Sequence, residues 1–133
     1  MNKKSLYELP VASTDFISEA TIDWLGALPV LRYSYRENGR VIDSGIAFNG
    51  VSAFRYRSES CCNVWNIEGV YDTLAEISES TWVEEVREDV APVFRQEWAP
   101  KHFMIYFDSV GCFEFIADGW KLLSDSTMDV NLS

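Results

Sequence analysis

Apolar and polar positions alternate most regularly between residues 30 and 57. Val30–Arg36 alternates, and Arg40–Phe48 and Val51–Arg57 continue with the same two-residue period. That period is typical of strands whose two faces meet different surroundings. Asn38-Gly39 and Asn49-Gly50 separate the three runs, and Asn-Gly tolerates the positive φ angles of tight hairpin turns. The pattern therefore predicts an antiparallel meander of three strands.

Two other stretches have helical spacing. Thr14–Ala27 places its larger side chains three or four residues apart, and Gly26 and Pro29 would end such a helix. The segment Thr81-Trp-Val-Glu84 fits a capping box, and apolar residues continue at helical spacing until Pro92. The pattern predicts one helix in each stretch. The positions that define the two stripes are Ile17, Thr21, Trp24, Leu28, Trp82, Val83, Val86 and Val90.

The last strong pattern is a hairpin. His102–Asp108 and Cys112–Ala117 predict two strands joined by a turn at Ser109–Gly111, and Val70–Ile77 predicts a further strand. Both hairpin strands are apolar on both faces, whereas a strand with one wet face alternates. We therefore expect them to be central or covered on both sides. The alternative is that one face meets a partner, such as a second copy in a homodimer.

These elements predict an α+β fold, with a single antiparallel sheet of about five or six strands and two helices packed on it. The 133 residues form one predicted domain, 1–133, in which 1–12 and 124–133 are loose.

Composition argues against nucleic-acid-binding, membrane-spanning, secreted and disulfide-rich proteins. The net charge of −10 disfavours nucleic-acid binding, which needs a basic surface. No apolar run approaches the ~20 residues that cross a bilayer, and the two lysines near the N-terminus precede no apolar stretch of a secretory signal. Three cysteines are too few for a disulfide scaffold. We expect a cytoplasmic protein with reduced thiols and no membrane contact.

Charge is also segregated along the chain. Residues 68–97 contain nine acidic residues and two arginines, a net charge of −7. One interpretation is a solvated helix face, and the other is a docking surface for a basic protein, because complementary charge accelerates association. The predicted binding residues are Glu84, Glu85, Glu88 and Asp89 on the helix, with Asp72 and Glu76 as the second choice.

Residues 29–57 have the opposite character, with five arginines, two acids and a net charge of +3. If the meander is in register, four guanidinium groups share one sheet face and could hold a phosphate or carboxylate ligand. Surface ion pairing with the chain's many acids is the other interpretation. The four residues are Arg32, Arg36, Arg55 and Arg57.

Few residues suit catalysis or metal binding. His102 is the only histidine, and the cysteines Cys61, Cys62 and Cys112 lack ligand spacing, so the sequence predicts no metal site and no cofactor. Glu114 lies inside an apolar strand and needs a partner, for which an arginine is the common solution. A carboxylate pair drawn from four acids is also open. Those acids are Asp72, Glu76, Asp108 and Glu114.

Several short motifs resemble a recurring bacterial family of hypothetical proteins. The motifs are Phe48-Asn-Gly-Val51, Trp65, Tyr71-Asp-Thr-Leu-Ala-Glu76, Ser80-Thr-Trp82, His102-Phe-Met-Ile-Tyr-Phe-Asp108 and Gly111-Cys-Phe-Glu114. In size, acidity and predicted α+β layout the chain is also similar to immunity proteins of bacterial toxin–immunity systems, including contact-dependent inhibition.

The second resemblance implies a cytoplasmic, non-enzymatic protein that neutralises one basic toxin domain, here expected to be a nuclease, by masking its active site. The alternative is a small-ligand or anion-binding regulatory module, with or without enzymatic activity, that uses the arginine-rich face with His102 or Glu114.

Overall fold

The computed structural model describes residues 1–123, and the predicted loose end at 124–133 lies outside this range. Nine strands and three short helices follow one another. The strands are β1 (Asn2–Glu8), β2 (Thr21–Leu25), β3 (Leu28–Glu37), β4 (Arg40–Asn49), β5 (Ala53–Ser58), β6 (Thr73–Ser78), β7 (Lys101–Phe107), β8 (Gly111–Ala117) and β9 (Gly119–Leu123). The helices are α1 (Val64–Ile67), α2 (Thr81–Asp89) and α3 (Pro92–Arg95), and 3₁₀ turns occupy Ser13–Asp15 and Glu59–Cys61.

The strands form two sheets, so the predicted single sheet is wrong, although the mostly antiparallel character and the α+β class agree. One sheet has the order β1-β6-β7-β8-β5, and the other has the order β2-β3-β4-β9. Their facing sides share one apolar core, in which Phe48 stacks on Phe115 with ring centroids 4.0 Å apart. Aromatic side chains of both sheets therefore hold the two layers together.

The first predicted hairpin is confirmed, because β3 pairs with β4 across Asn38-Gly39. The prediction that the third run of the meander pairs with the second is wrong, because β5 pairs with β8 in the other sheet. After Gly50 the backbone N–H of Ser52 donates to the carbonyl of Ile116, and β9 takes the place beside β4. The chain thus crosses from one sheet to the other at Asn49-Gly50. The residue types of this turn are equally suitable for a hairpin, so they do not distinguish the two.

The predicted helix at Thr14–Ala27 is also wrong. Its second half is β2, which pairs with β3 across a turn in which Gly26 has φ +63°. Thr21 and Ile22 are β-branched and suit a strand, and pairing with β3 overrides the helical spacing. The predicted loose start is wrong too, since β1 pairs with β6, and Leu6 of β1 packs on the core.

The predicted hairpin at residues 102–117 is confirmed, and its position in the fold explains why both of its faces are apolar. β7 and β8 are central in the five-stranded sheet, and all residues of β8 are buried. One face of the hairpin meets the other sheet. The opposite face packs with Trp65 and Ile67 at α1. The aromatic hairpin therefore offers no exposed face for the predicted homodimer. Across residues 1–123, no helix has the length and apolarity needed to cross a membrane.

Candidate functional site

Helix α2 forms where expected, but its cap is one residue earlier than predicted. The Ser80 hydroxyl accepts the backbone N–H of Val83 at 3.1 Å, so Ser80 rather than Thr81 is the N-cap. Val83 is buried against the protein, and the helix ends at Asp89, shortly before Pro92. The acidic positions on the other side of the helix therefore face outward.

The outward face of α2 borders an open groove of about 560 Å³. Four glutamates line it, together with Ser80 and Thr81, and we call this feature the acidic groove; the glutamates are Glu79, Glu84, Glu85 and Glu88. All four are exposed, as is the neighbouring Asp89. The structure thus brings three of the predicted binding residues to one groove and places Asp89 beside it in sequence.

These carboxylates keep most of their charge uncompensated. Across residues 1–123, no lysine, arginine or histidine forms an ion pair with Glu85, Glu88 or Asp89. Glu84 lies 3.4 Å from the Arg87 guanidinium, but its side chain is largely exposed, and such pairs contribute little. The groove is therefore a focus of negative potential.

The two arginines nearest in sequence bind backbone carbonyls instead. Arg87 donates to the carbonyl of Trp98 at 2.9 Å, and Arg95 donates to the carbonyl of Val90 at 2.9 Å. These bonds fold α3 back against the end of α2. Both arginines thus fix the backbone beside the acidic groove, and among residues 1–123 only Arg87 also forms an ion pair with a groove residue, Glu84.

Asp72 and Glu76 lie apart from the groove. The Asp72 carboxylate accepts the backbone N–H of Ser13 at 3.0 Å, in a turn near the other end of β6. Glu76 lines a neighbouring cavity of about 200 Å³, which also contacts Glu79, Glu84 and Lys101. Only Glu76 of this second-choice pair is close enough to extend the acidic surface.

A polar network, buried except at its arginine, ties the start of α2 to the five-stranded sheet. His102 Nδ1 lies 2.7 Å from the Ser80 hydroxyl, and His102 Nε2 lies 2.8 Å from Glu114 Oε1. Arg55 binds the same carboxylate in bidentate fashion, at 2.9 and 3.0 Å. We call these four side chains the Ser80–Arg55 network. The expected arginine partner of Glu114 is thus present.

Protonation in the network follows from its donors. Burial alone would raise the pKa of Glu114, but hydrogen bonds from His102 and Arg55 outweigh it and lower that pKa. An ionised carboxylate only accepts, so His102 Nε2 carries a proton. The Ser80 hydroxyl oxygen accepts the backbone N–H of Val83 and lies within hydrogen-bond distance of His102 Nδ1. The Ser80 hydroxyl and both ring nitrogens of His102 thus each have a hydrogen-bond partner.

Trp82 contacts two members of the network, Arg55 and His102. The Arg55 guanidinium stacks 4.0 Å from the centre of the Trp82 indole, and this indole also meets the His102 ring edge-on at 5.1 Å. Helix α2 is therefore held both by its cap and by its second residue. The orientation of its acidic face is therefore fixed by contacts within the chain.

The connections Ser80–His102–Glu114 are those of a serine hydrolase triad, but the surroundings differ. The Ser80 hydroxyl is buried and already accepts a helix N–H, and Glu114 also binds Arg55. The adjacent cavity is lined by three glutamates and one lysine, and this net negative lining opposes a developing oxyanion. The arrangement fits a structural network better than a nucleophile. Glu114 and His102 were visible in the sequence, whereas nothing marked Ser80 as their partner.

The four arginines do not share a face, so that prediction is wrong. Arg32 and Arg36 belong to β3 in the four-stranded sheet, whereas Arg55 and Arg57 belong to β5 in the other sheet. Arg32 pairs with Asp23 at 2.6 Å. The reason is the crossing at Asn49-Gly50, which moves β5 away from β3.

Asp108 and Glu114 form no carboxylate pair, because each has its own partners. Tyr71 donates to Asp108 at 2.9 Å, while Glu114 belongs to the Ser80–Arg55 network. Across residues 1–123, no group of three or more histidine, cysteine or acidic side chains is arranged to hold a metal ion. The three cysteines are free thiols.

The Tyr71–Asp108 bond gives a testable titration. Burial, followed by the hydrogen bond to Asp108, raises the pKa of Tyr71 to about 12. We expect Asp108→Asn to lower this pKa toward the ordinary tyrosine value of about 10. Ultraviolet absorbance titration measures it, with Tyr71→Phe identifying the transition. An unchanged high-pH transition in Asp108→Asn would show that the carboxylate does not act on Tyr71.

Comparison of the chain with protein-family models, curated proteins and solved structures found no match.

Proposed function

We propose that this protein is a non-enzymatic, immunity-type binding protein that acts in the cytoplasm. Its partner would be a basic bacterial toxin domain, a nuclease, whose active site it masks. One observation carries the proposal: the acidic groove gathers Glu79, Glu84, Glu85 and Glu88 on an exposed face, and only Glu84 has an ion-pair partner among residues 1–123.

The chemistry of a nuclease explains why such a groove would fit it. A nuclease binds the phosphate backbone with lysine and arginine side chains. Glu84, Glu85 and Glu88 lie on neighbouring turns of one helix face and offer anionic oxygens to the same cations. Because the Ser80–Arg55 network fixes α2, less backbone freedom is lost on binding. The proposed surface is therefore both complementary and preorganised.

Two alternatives, an anion site and a homodimer, have less support in the structure. An anion site built from four arginines would need one shared face, and the arginines are divided between two sheets. A homodimer through the aromatic hairpin would need an exposed hairpin face, and both faces are covered.

The function is tested in cells first. Each reading frame that neighbours the native gene is expressed in a bacterial host, with and without this protein. We expect one neighbour to stop growth and this protein to restore it. If none of the toxic neighbours is suppressed, the immunity proposal is wrong.

The surface is tested with the toxin so identified. We expect the double variant Glu85→Lys/Glu88→Lys to associate at least ~10-fold more slowly at low salt, with a weaker salt dependence, because it removes the steering charge. Stopped-flow fluorescence measures the rate. The matched control Glu19→Lys/Glu37→Lys changes two exposed acids outside the groove and alters the net charge equally. Equal slowing in both variants would assign the effect to total charge instead of the groove.

A further inference from the structure

An exposed apolar pair follows the acidic helix. Val93 and Phe94 of α3 are 79% and 66% exposed, and Val93 is the most exposed large apolar side chain in residues 1–123. Single exposed apolar residues are ordinary, but two adjacent ones at the tip of one element form a small apolar projection. We call this pair the apolar tip.

The apolar tip is held firmly. Pro92 occupies the first turn of α3, where its fixed φ suits a helix. Arg95 binds the carbonyl of Val90, and Trp98 donates to the Ser52 hydroxyl at 3.1 Å. The Arg87 guanidinium also stacks on the Trp98 ring, 5.2 Å from its centre. Backbone and side-chain contacts on both sides thus fix a segment whose outer side chains touch little.

The tip is placed next to the acidic groove. α3 begins three residues after the end of α2, and Arg95 lies 3.3 Å from the backbone carbonyl of Glu88. The apolar tip therefore lies close to the C-terminal end of α2, the helix that carries Glu84, Glu85 and Glu88. A surface with an apolar centre and charged residues beside it is the usual anatomy of a specific interface.

We propose that Val93 and Phe94 are the apolar anchor of the docking surface and insert into a pocket of the partner that lysines or arginines surround. This inference rests on the proposed function and deepens it by naming the partner's chemistry. Charge complementarity selects a basic partner over a second copy. A two-fold contact through this face would place each acidic groove against its own duplicate, and like charges repel.

The two parts of the surface have separable roles. Exposed carboxylates act at a distance and raise the association rate, an effect that salt screens. A buried aromatic anchor acts only after contact and slows dissociation, with little dependence on salt. Salt dependence therefore distinguishes the acidic groove from the apolar tip in one titration.

The test uses two synthetic helical peptides as probes. The first carries a row of leucines with lysines on both sides of that row on the same helix face, and the second replaces every leucine with serine. Fluorescence anisotropy gives their dissociation constants at low and high salt. The tip variant is Val93→Ser/Phe94→Ser. Its matched control is Val64→Ser/Leu25→Ser, which removes two apolar side chains that are 70% and 50% exposed elsewhere.

We expect the tip variant to bind the lysine–leucine peptide ~10-fold more weakly at both salt concentrations and to bind the lysine–serine peptide unchanged. The matched control should bind both peptides like the wild type. Far-ultraviolet circular dichroism and thermal melting confirm that the variants are folded.

Other outcomes overturn the inference. Wild-type affinity of the tip variant for the lysine–leucine peptide, or no binding of that peptide to the wild type, would show that the tip is not an anchor. So would a wild-type dimer in sedimentation that the tip variant abolishes, since a second copy then covers the tip. The charge-reversed variant Glu85→Lys/Glu88→Lys keeps the two proposals distinguishable. If it binds both peptides normally while the tip variant fails, the acidic groove loses its role and the anchor remains.

Discussion

Replacement of Glu114 by alanine is expected to lower the free energy of unfolding by about 3–5 kcal/mol. The carboxylate is 6% exposed and accepts from His102 and from both nitrogens of the Arg55 fork. Its removal leaves the buried His102 N–H without an acceptor and takes the counter-charge from Arg55, whose side chain is 47% exposed. The half-exposed arginine regains water, which places the expected loss near the lower end of that range.

Urea denaturation at neutral pH measures this loss. Glu114→Gln keeps the shape and one acceptor oxygen but loses the charge, so it should fall between the wild type and Glu114→Ala. Glu85→Ala is the control, because that side chain is exposed and has no ion-pair partner among residues 1–123, and we expect a change within ~0.5 kcal/mol. A loss below ~1 kcal/mol for Glu114→Ala would show that the network does not hold the sheet and α2 together.

The same carboxylate predicts a pH dependence with a definite sign. The pKa of Glu114 in the folded protein is lower than the unfolded value of about 4.3. Its contribution to stability is therefore complete above about pH 4.3 and is lost as the pH falls through the folded pKa. Unfolding measured across this acidic range should be less pH-dependent for Glu114→Gln than for the wild type. Parallel pH profiles would contradict the lowered pKa.

Replacement of Phe48 by alanine is expected to cost about 3–5 kcal/mol of unfolding free energy. Phe48 of β4 is fully buried, stacks on Phe115 of β8, and lies 5.7 Å from the ring of Phe103 in β7. It therefore contacts two central strands of the opposite sheet. The lost side chain leaves a cavity between layers that are fixed by their own hydrogen bonds and cannot collapse fully.

Thermal and urea unfolding measure the cost, and the chain offers a matched control. Phe94→Ala removes the same atoms from a side chain that is 66% exposed, and we expect a change within ~0.5 kcal/mol. Near-ultraviolet circular dichroism should weaken in Phe48→Ala because the aromatic stack is lost. Similar small losses for both variants would show that the two sheets do not depend on this contact.

The sequence correctly predicted the elements whose turn or cap lies within the element. It did not predict the strand pairs that join distant parts of the chain. The β3–β4 hairpin, the β7–β8 hairpin and α2 each have their turn or cap within the element. By contrast, β1 pairs with β6, and Asn2 lies opposite Ser78. No pattern within either segment predicts a partner so distant in sequence. The alternating runs fixed which residues face the core, but they did not specify which sheet each strand joins.

The sequence also predicted only part of the candidate site. The acidic stripe of α2 followed from helical spacing, and the structure keeps Glu84, Glu85 and Glu88 exposed together. The shared arginine face did not follow, because it required β5 to remain beside β4. His102 and Glu114 were conspicuous as a lone histidine and an acid in an apolar strand. Their link to Ser80 depends on how α2 packs on the sheet, which spacing does not encode.

The chain crosses between the two sheets three times, and the last two crossings have a consequence for cooperativity. After β4 the chain leaves the four-stranded sheet to add β5 beside β8, and after β8 it returns to add β9 beside β4. A fragment ending after β5 would hold a strand whose neighbour has not yet been made, and a fragment without β9 would leave an unpaired edge on β4. The layers are thus interlocked by connectivity as well as by packing, so that neither half is an autonomous folding unit and both should unravel in one transition.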